Sequence, residues 1–351
     1  MRVLVTGGCG FIGSALVRRL VADGHEVVNL DAMTYAGDAR TVAEVSRANN
    51  YSFLKADITD RAAISDAFKT FKPQQVFHLA AESHVDRSID GPGVFIQTNL
   101  VGTSILLDCA LEYWRSLPGE AADAFRFLHV STDEVYGTLA MTDVAFREDT
   151  PYAPNSPYAA SKAGADHLVR AWAETYGLPA VITNCSNNYG PFQHPEKLIP
   201  TVIRTALSGA DIPVYGTGEN IRDWLYVEDH VAGLIAAMAT GRAGRKYNFG
   251  GDAERTNIDL VRDICGLLDQ KRPGTAPYAD QIRFVTDRPG HDLRYAVNAA
   301  RAKSELSWAA AVTLDEGLSQ TLDWYLTHPE WLSRDPAEIA RLGLSRSEGD
   351  A

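Results

Sequence analysis

Two short segments carry side chains that could act together on one substrate. The first is Thr132-Asp133-Glu134, within the run 131–137, and the second contains Tyr158 and Lys162. Together they offer a carboxylic acid, a carboxylate, and a phenol with a nearby ammonium. Such a set can oxidise an alcohol, remove a proton from the neighbouring carbon and expel a hydroxyl. The combination indicates chemistry that removes water from a sugar.

Tyr158 and Lys162 are four residues apart, so on a helix they share one face. An ordinary tyrosine has a pKa of about 10 and is a weak base at neutral pH. A lysine ammonium and a positively charged nicotinamide ring beside the phenol would favour the phenolate. The same spacing also arises by chance on amphipathic helices. A glycine-rich loop and a Ser-Thr strand end earlier in the chain favour the functional interpretation.

The adjacent carboxyls of Asp133 and Glu134 follow a predicted strand. In a parallel sheet this is the edge at which open α/β folds bind ligands. A solvated acidic turn is the alternative for such a pair. Thr132 adds a hydroxyl that could hold the reacting alcohol. Because a shared site pushes the pKa values of two carboxyls apart, one can act as an acid while the other acts as a base.

A glycine-rich loop lies between the first predicted strand and the first predicted helix. Gly7, Gly10 and Gly13 would permit a tight turn, close approach of a pyrophosphate to backbone amides, and helix packing. A simple strand-to-helix turn is the alternative for the glycines alone. Asp31 ends the second predicted strand, about 20 residues later, where its carboxylate can accept from both ribose hydroxyls. Since that charge would repel a 2'-phosphate, NAD is favoured over NADP. Cys9 in this loop is interpreted as a packing residue.

The elements that must position these residues alternate in type. The sequence pattern predicts strands at 2–6, 26–31, 51–57, 75–80, 125–131 and 180–184, and helices at 11–22, 61–71, 94–114 and 157–176. This order predicts an α/β fold with a Rossmann-like doubly wound parallel sheet. We expect an NAD-binding domain over 1–190, a smaller C-terminal substrate-binding lobe over 191–332 and a polar tail over 333–351. The pattern leaves open that the chain crosses between the lobes.

Composition limits the classes of partner. A chain of 351 residues, 45% hydrophobic, can bury a large core. Its formal net charge of -12 opposes nucleic-acid binding, so a phosphate ligand would need local donors. The four cysteines form no C-x-x-C pair, which predicts reduced thiols, a cytoplasmic location and no metal site. The first strand follows Met1 directly and no apolar run reaches about 18 residues, so neither a secretory signal nor a membrane partner is expected.

Motifs along most of the chain resemble one superfamily. The glycine loop at 7–13, the runs 79–86 and 131–137, and the Tyr158/Lys162 pair resemble the extended short-chain dehydrogenase/reductases. The runs 184–191, 222–230 and 287–292 closely resemble the dTDP-glucose 4,6-dehydratase family within it. The resemblance covers about residues 1–330. Epimerases of the superfamily share the tyrosine and lysine but lack an Asp-Glu pair after the threonine, which favours a dehydratase.

The resemblance implies a role for each catalytic residue. Tyr158 would take the proton of the sugar's carbon 4 hydroxyl, with Thr132 and Lys162 orienting and tuning it. Glu134 would remove the proton from carbon 5 while Asp133 protonates the departing hydroxyl of carbon 6. The product would be dTDP-4-keto-6-deoxyglucose. A dehydratase or an epimerase that acts on another nucleotide-hexose is the alternative.

The resemblance also implies binding residues and an assembly. Tightly bound NAD would contact Gly7, Gly10, Phe11, Ile12, Gly13, Asp31, Asp57, Ile58, Leu79, Ala80, Ala81, Thr98, Tyr158, Lys162 and Asn188. The nucleotide-sugar dTDP-glucose would contact Ser83, Thr132, Asn187, Lys197, Leu198, Pro213, Tyr215, Arg222, Asn257, Asp287, His291 and Tyr295. Ordinary packing is the alternative for Leu198 and Pro213. The helices at 94–114 and 157–176 would pair with their copies in a homodimer.

Overall fold

The computed structural model describes residues 1–287 and 290–332. The predicted tail at 333–351 and two residues of the 287–292 motif, Arg288 and Pro289, lie outside the described residues. The strands are β1 Arg2–Thr6, β2 Glu26–Asp31, β3 Tyr51–Lys55, β4 Gln75–His78, β5 Arg126–Thr132, β6 Ala180–Cys185, β7 Asn187–Tyr189, β8 Ile212–Tyr215, β9 Ile221–Tyr226, β10 Lys246–Phe249, β11 Glu254–Thr256 and β12 Ile282–Val285. The helices are α1 Phe11–Ala22, α2 Arg61–Phe71, α3 Val85–Asp90, α4 Pro92–Phe95, α5 Thr103–Ser116, α6 Gly119–Ala124, α7 Pro157–Tyr176, α8 Leu198–Ser208, α9 Val227–Thr240, α10 Asn257–Lys271, α11 Ala300–Leu306 and α12 Leu314–Thr327.

The main sheet confirms the predicted doubly wound architecture. Its strand order is β10-β6-β5-β4-β1-β2-β3, and every pairing in it is parallel. The order reverses between β1 and β4, so the loops after these two strands diverge and leave a crevice at their carboxyl ends. The chain returns to this sheet at β10, after passing through the second lobe. The predicted boundary at residue 190 stays a prediction.

The second lobe is built on two small sheets. They have the orders β11-β9-β7 and β12-β8. A separate apolar core, which includes Tyr189, Ile199, Trp224, Leu260 and Leu318, packs α8, α10 and α12 against these strands. The segment 187–226 therefore joins the main sheet to this lobe, and β7 carries the chain from one to the other.

Helix α7 begins and ends at the predicted residues because its caps are strong. The Ser156 hydroxyl accepts a hydrogen bond from the Ala159 N–H at 3.0 Å, and Pro157 occupies the first helical position. Gly177 ends the helix in the left-handed conformation, at φ +76°. These caps fix the register of the helix, and so the face on which Tyr158 and Lys162 lie.

The predicted helix at 94–114 is interrupted. Between α4 and α5 the segment Ile96–Gly102 is a π-helix, a form common near functional sites. Within it the Asn99 amide bonds both the N–H and the C=O of Glu82, at 2.9 and 3.0 Å. The whole stretch Pro92–Ser116 is long and apolar enough to cross a membrane by length and composition, and half of its most apolar window is buried. A core helix of a globular protein passes the same test.

Candidate active site

A cleft of about 300 Å³ lies at the carboxyl ends of β1, β2, β4 and β5. Every residue of the predicted cofactor set lines it, from Gly7 to Asn188. The other predicted residues in its lining are Thr132, Asp133, Glu134, Ser83, Asn187 and Lys197. The predicted catalytic group and the predicted cofactor group therefore face one space. The role of each residue stays a prediction.

The glycine loop leaves no room for side chains at two of its positions. A Cβ on Gly13 would lie 2.1 Å from the Gly7 oxygen, and one on Gly7, where φ is +74°, would lie 2.6 Å from the Ala80 nitrogen. The loop therefore packs against both α1 and the residues after β4. Gly10 makes no side-chain cap, so the first-turn N–H groups of α1 stay available to an anion. These features fit a bound pyrophosphate.

Asp31 is held at the end of β2 by two backbone donors. Its Oδ2 accepts from the Cys9 N–H at 2.9 Å and its Oδ1 accepts from the Met33 N–H at 2.8 Å. A carboxylate offers about four acceptor positions, so hydroxyls of a ribose can still bind. Burial, and then the charge of Asp31, raises the pKa of the Cys9 thiol to about 11. Cys9 is fully buried, as a packing residue would be.

Tyr158 and Lys162 are both buried beside β5. The Lys162 Nζ donates to the Val130 oxygen at 2.8 Å. Burial lowers the pKa of Lys162 to about 8, although the charge of Asp166 opposes this shift. Burial, followed by the charge of Glu134, raises the pKa of Tyr158 well above its ordinary value. Burial and the charge of Glu134 thus favour the neutral phenol in the protein alone. The expectation of a phenolate favoured by the lysine together with a bound nicotinamide ring stays a prediction.

The acid pair begins a short 3-10 turn directly after β5. The Thr132 hydroxyl donates to Asp133 Oδ1 at 3.3 Å and accepts from the Glu134 N–H at 3.2 Å. Burial, then the charges of Glu134 and Asp223, raises the pKa of Asp133 well above its ordinary value. A carboxyl in this position keeps its proton more readily than an exposed one. This fits the predicted role of Asp133 as the acid.

Two residues of the second lobe, Arg222 and Tyr295, lie close enough to the acid pair to interact with it electrostatically. The Arg222 guanidinium lies over the Tyr295 ring, 4.4 Å from its centroid, and donates to the backbone oxygen of Asp292 at 2.9 Å. The charge of Arg222 acts to lower the pKa of Asp133. Burial and then the charge of Glu134 raise the pKa of Tyr295. The second lobe therefore places a cation and a phenol next to the carboxyls.

The other predicted sugar-nucleotide residues are spread over the second lobe. Those absent from the described lining of the cleft are Leu198, Pro213, Tyr215, Arg222, Asn257, Asp287, His291 and Tyr295. His291 Nδ1 lies 2.7 Å from Asp287 Oδ1, and the His291 ring meets the Tyr215 ring edge-on at 6.3 Å. Leu198 packs against the core of the lobe, which is the alternative considered for it. The structure thus separates a cleft group from an outer group, joined by Arg222 and Tyr295.

Sequence reasoning assigned no role to several groups that the structure places at the site. Glu82 lines the cleft and Asp223 acts on the pKa of Asp133. Both lie inside motifs that the sequence shows, 79–86 and 222–230, so the motifs were the available signal. Asp166 lies one turn beyond Lys162 on α7, and only the helical spacing hints at it.

Comparison with known proteins agrees with this arrangement. The family model described as GDP-mannose 4,6 dehydratase matches residues 4–321. A dTDP-glucose 4,6-dehydratase of Xanthomonas campestris is 56% identical over 94% of each chain, and that of Neisseria meningitidis is 53% identical over 94% of each chain. The crystal structure of the Streptomyces venezuelae dTDP-glucose 4,6-dehydratase, solved with NAD bound, has a TM-score of 0.86 at 42% identity and covers 95% of this chain and 100% of its own. The chain therefore belongs to the dTDP-glucose 4,6-dehydratase family of the extended short-chain dehydrogenase/reductase superfamily.

Proposed function

We propose that this protein is an NAD-dependent lyase that converts dTDP-glucose to dTDP-4-keto-6-deoxyglucose and water. One observation carries the proposal: the pair Asp133 and Glu134 faces the same cleft as Tyr158 and Lys162. With NAD as the hydride acceptor, tyrosine and lysine suffice for oxidation of an alcohol. Elimination of a hydroxyl needs, in addition, an acid and a base that act at neighbouring carbons of the sugar, and the two carboxyls supply both.

The division of work follows the positions of the groups. Tyr158 takes the proton of the carbon 4 hydroxyl, which Thr132 orients. The ketone that results acidifies the hydrogen on carbon 5, and Glu134 removes it. Asp133, whose raised pKa favours its protonated form, gives its proton to the departing carbon 6 hydroxyl. Bound NAD supplies the hydride acceptor for carbon 4 and the donor for carbon 6, so the cycle is redox-neutral.

A label-transfer experiment tests the activity. We expect deuterium placed at carbon 4 of dTDP-glucose to reappear at carbon 6 of the product, with no added reductant consumed. In deuterated water the product should also gain one deuterium at carbon 5. Retention of the label at carbon 4, with the carbon 6 hydroxyl still present, would identify an epimerase instead. Water loss measured by mass on a panel of nucleotide-hexoses defines the base and the sugar.

The proposal includes a cytoplasmic homodimer. Apolar side chains on the surface of α3, α4 and the π segment are 37 to 51% exposed: Ile89, Val94, Ile96 and Val101. Such a patch on a helical surface suits a two-fold helix–helix contact. All four cysteines are free and buried, as expected in a reducing compartment.

A charge in the patch tests the assembly. We expect light scattering to give a dimer at micromolar concentration, and Ile96→Asp to give a monomer. Phe284→Asp, at a similarly exposed apolar position on β12, is the matched control and should stay dimeric. A monomeric parent protein would refute the dimer.

A further inference from the structure

A buried carboxylate lies behind the two catalytic segments. Asp166 is almost fully buried on α7, one turn beyond Lys162. Its Oδ2 accepts from the Tyr152 hydroxyl at 2.7 Å and from the Asn184 Nδ2 at 3.1 Å. His129 Nε2 lies 3.2 Å from its Oδ1. A carboxylate in such a place needs partners, and here both hydrogen-bond donors reach Oδ2, whereas the contact of Oδ1 with His129 does not have hydrogen-bond geometry.

These partners lead to both halves of the site. The same Asn184 Nδ2 donates to the backbone oxygen of Thr132 at 3.0 Å, where β5 ends and the acid pair follows. Lys162 donates to Val130 on the same strand, two residues earlier. Asp166 is therefore linked to the end of β5 through Asn184, and it lies one helical turn from Lys162 on α7.

The charge of Asp166 is kept despite its burial. Burial alone would raise its pKa, but the nearby His129, the charge of Lys162 and the hydrogen bond from Tyr152 lower the pKa below its usual value. Because His129 is neutral above about pH 4, the charge that acts on Asp166 at neutral pH is that of Lys162. In turn Asp166 raises the pKa of Lys162 against burial. The two groups thus favour each other's charged form across one helical turn.

We infer that Asp166 is a positioning residue for the reaction, which holds Lys162 as an ammonium and fixes the strand end that carries Thr132, Asp133 and Glu134. The inference rests on the proposed function. The ammonium matters because Lys162 lies one helical turn from Tyr158 on α7, and a neutral lysine would leave the phenol without that positive charge. Loss of the carboxylate should therefore affect the oxidation step and its pH dependence together.

The neighbouring titratable groups decide which pH range is informative. Those that act on this pair are His78, His129, Cys185, Tyr136, Tyr152 and Lys246. Burial lowers the pKa of His129 to about 4, and it lowers the pKa of His78 well below its ordinary value. Burial raises the pKa of Cys185 to about 12. Between roughly pH 6 and 9, Lys162 is thus the member of the pair whose charge changes.

The test is the pH profile of the first oxidation, followed as reduced cofactor after the holoenzyme is mixed with dTDP-glucose. We expect an alkaline limb near the pKa of Lys162, and Asp166→Asn should move this limb down by about one pH unit. The rate above the limb should fall about tenfold while the rate near pH 6 changes less. Asp108→Asn, at an exposed carboxyl on α5, and Tyr152→Phe, which keeps the Asp166 charge, should leave the limb in place.

Other outcomes would overturn the inference. An unmoved limb in Asp166→Asn, whether or not the rate falls, would show a purely structural role. If this variant does not fold, Lys162→Met and the double variant Lys162→Met/Asp166→Asn replace it, since the double variant removes both buried charges. Equal oxidation rates in these two would support action through Lys162, whereas a much slower double variant would contradict the ammonium-holding role that the inference requires and would leave Asp166 only a structural role at the strand end. Failure of the parent protein to release water from dTDP-glucose would count against the proposed function alone.

Discussion

The two sides of the cleft are built in different ways. On the cofactor side, Gly7, Asp31 and Leu79 follow or end the strands β1, β2 and β4, which are neighbours in one parallel sheet. On the side predicted for the nucleotide-sugar, Tyr215 comes from the small sheet β12-β8, whereas Arg222 comes from β9 of the other small sheet. Parallel strands bring their carboxyl ends to one edge whatever the loops do. The second side depends on how a separate core packs.

The acid pair lies where these two sides meet. Asp133 follows β5 of the main sheet, yet its pKa depends on Asp223 and Arg222 from the second lobe. The position of Tyr158, by contrast, is set by α7 and the main sheet. We therefore expect changes at Tyr158 to stop the first step, and changes in the second lobe to act on substrate binding and on elimination.

The largest expected effect is that of Tyr158→Phe, which removes the base of the cofactor side. Proton transfer by a positioned side chain contributes about 10²- to 10⁴-fold, and the first oxidation should fall by that factor. Reduced cofactor should not form when dTDP-glucose is added, although NAD stays bound. Absorbance of the reduced cofactor and mass analysis of retained NAD measure the two quantities. A normal initial signal would exclude Tyr158 as the base.

Glu134→Gln should separate the two halves of the reaction. Oxidation at carbon 4 should continue, and reduced cofactor should accumulate because proton removal at carbon 5 is slowed by about 10²-fold or more. The rate at which the sugar loses water, followed by mass, should fall by the same factor. Glu112→Gln, at an exposed position on α5, is the control and should turn over normally. If Glu134→Gln and Tyr158→Phe lose the initial signal equally, the division of roles is wrong.

Arg222→Lys should weaken mainly substrate binding on the side predicted for the nucleotide-sugar, because lysine keeps the positive charge near Asp133. Lysine cannot reproduce a planar guanidinium that lies over Tyr295 and donates to both Ile221 and Asp292. We expect KM for dTDP-glucose to rise about tenfold, as for the loss of about 1.4 kcal/mol of binding, with a smaller change in kcat. The control is Arg255→Lys, at the position paired with Arg222 across β9 and β11. A fall in kcat with unchanged KM would place Arg222 in the chemical step instead.

The cofactor side could be predicted from sequence because its signals are local. Helices α1, α2 and α7 begin and end at the predicted residues. Their starts have local signals, because their N-cap residues are Gly10, Asp60 and Ser156. Strands β3 and β4 end two residues before the predicted limits. The apolar residues after them, Ala56 and Leu79, line the cleft, although the N–H of each still donates to the end of the neighbouring strand. An apolar run alone cannot distinguish these uses.

Long-range features could not be read from the sequence. The π segment within 94–114 keeps the apolar spacing of an ordinary helix, so no local signal marks it. Strands of three to six residues in the second lobe, such as β11 and β9, pair only after the chain has folded back. Burial is the largest influence on the pKa of Tyr158, and burial depends on the whole fold. Residue types and spacing could identify the groups, but not the balance of forces on them.

The smallest expected effect concerns stability at the junction, where Asp133→Asn should raise it at neutral pH. An aspartate in the unfolded chain has a pKa of about 3.9, whereas burial, Glu134 and Asp223 raise that of Asp133 in the folded protein. As the pH rises from the unfolded pKa to the folded one, the folded state keeps a proton that the unfolded state has lost. Stability therefore falls across this window, and Asn removes that loss.

We expect the melting temperature of the Asp133→Asn holoenzyme at about pH 7 to exceed that of the parent by roughly 2 to 4 °C, and the difference to vanish near pH 4. Elimination should be slowed in the same variant, because the acid of the reaction is gone. Asp143→Asn, at an exposed position in the loop after β5, controls for the change in net charge. A lower melting temperature at pH 7 would mean that the ionised Asp133 carboxylate stabilises the folded protein, and would contradict the predicted loss of stability from its raised pKa.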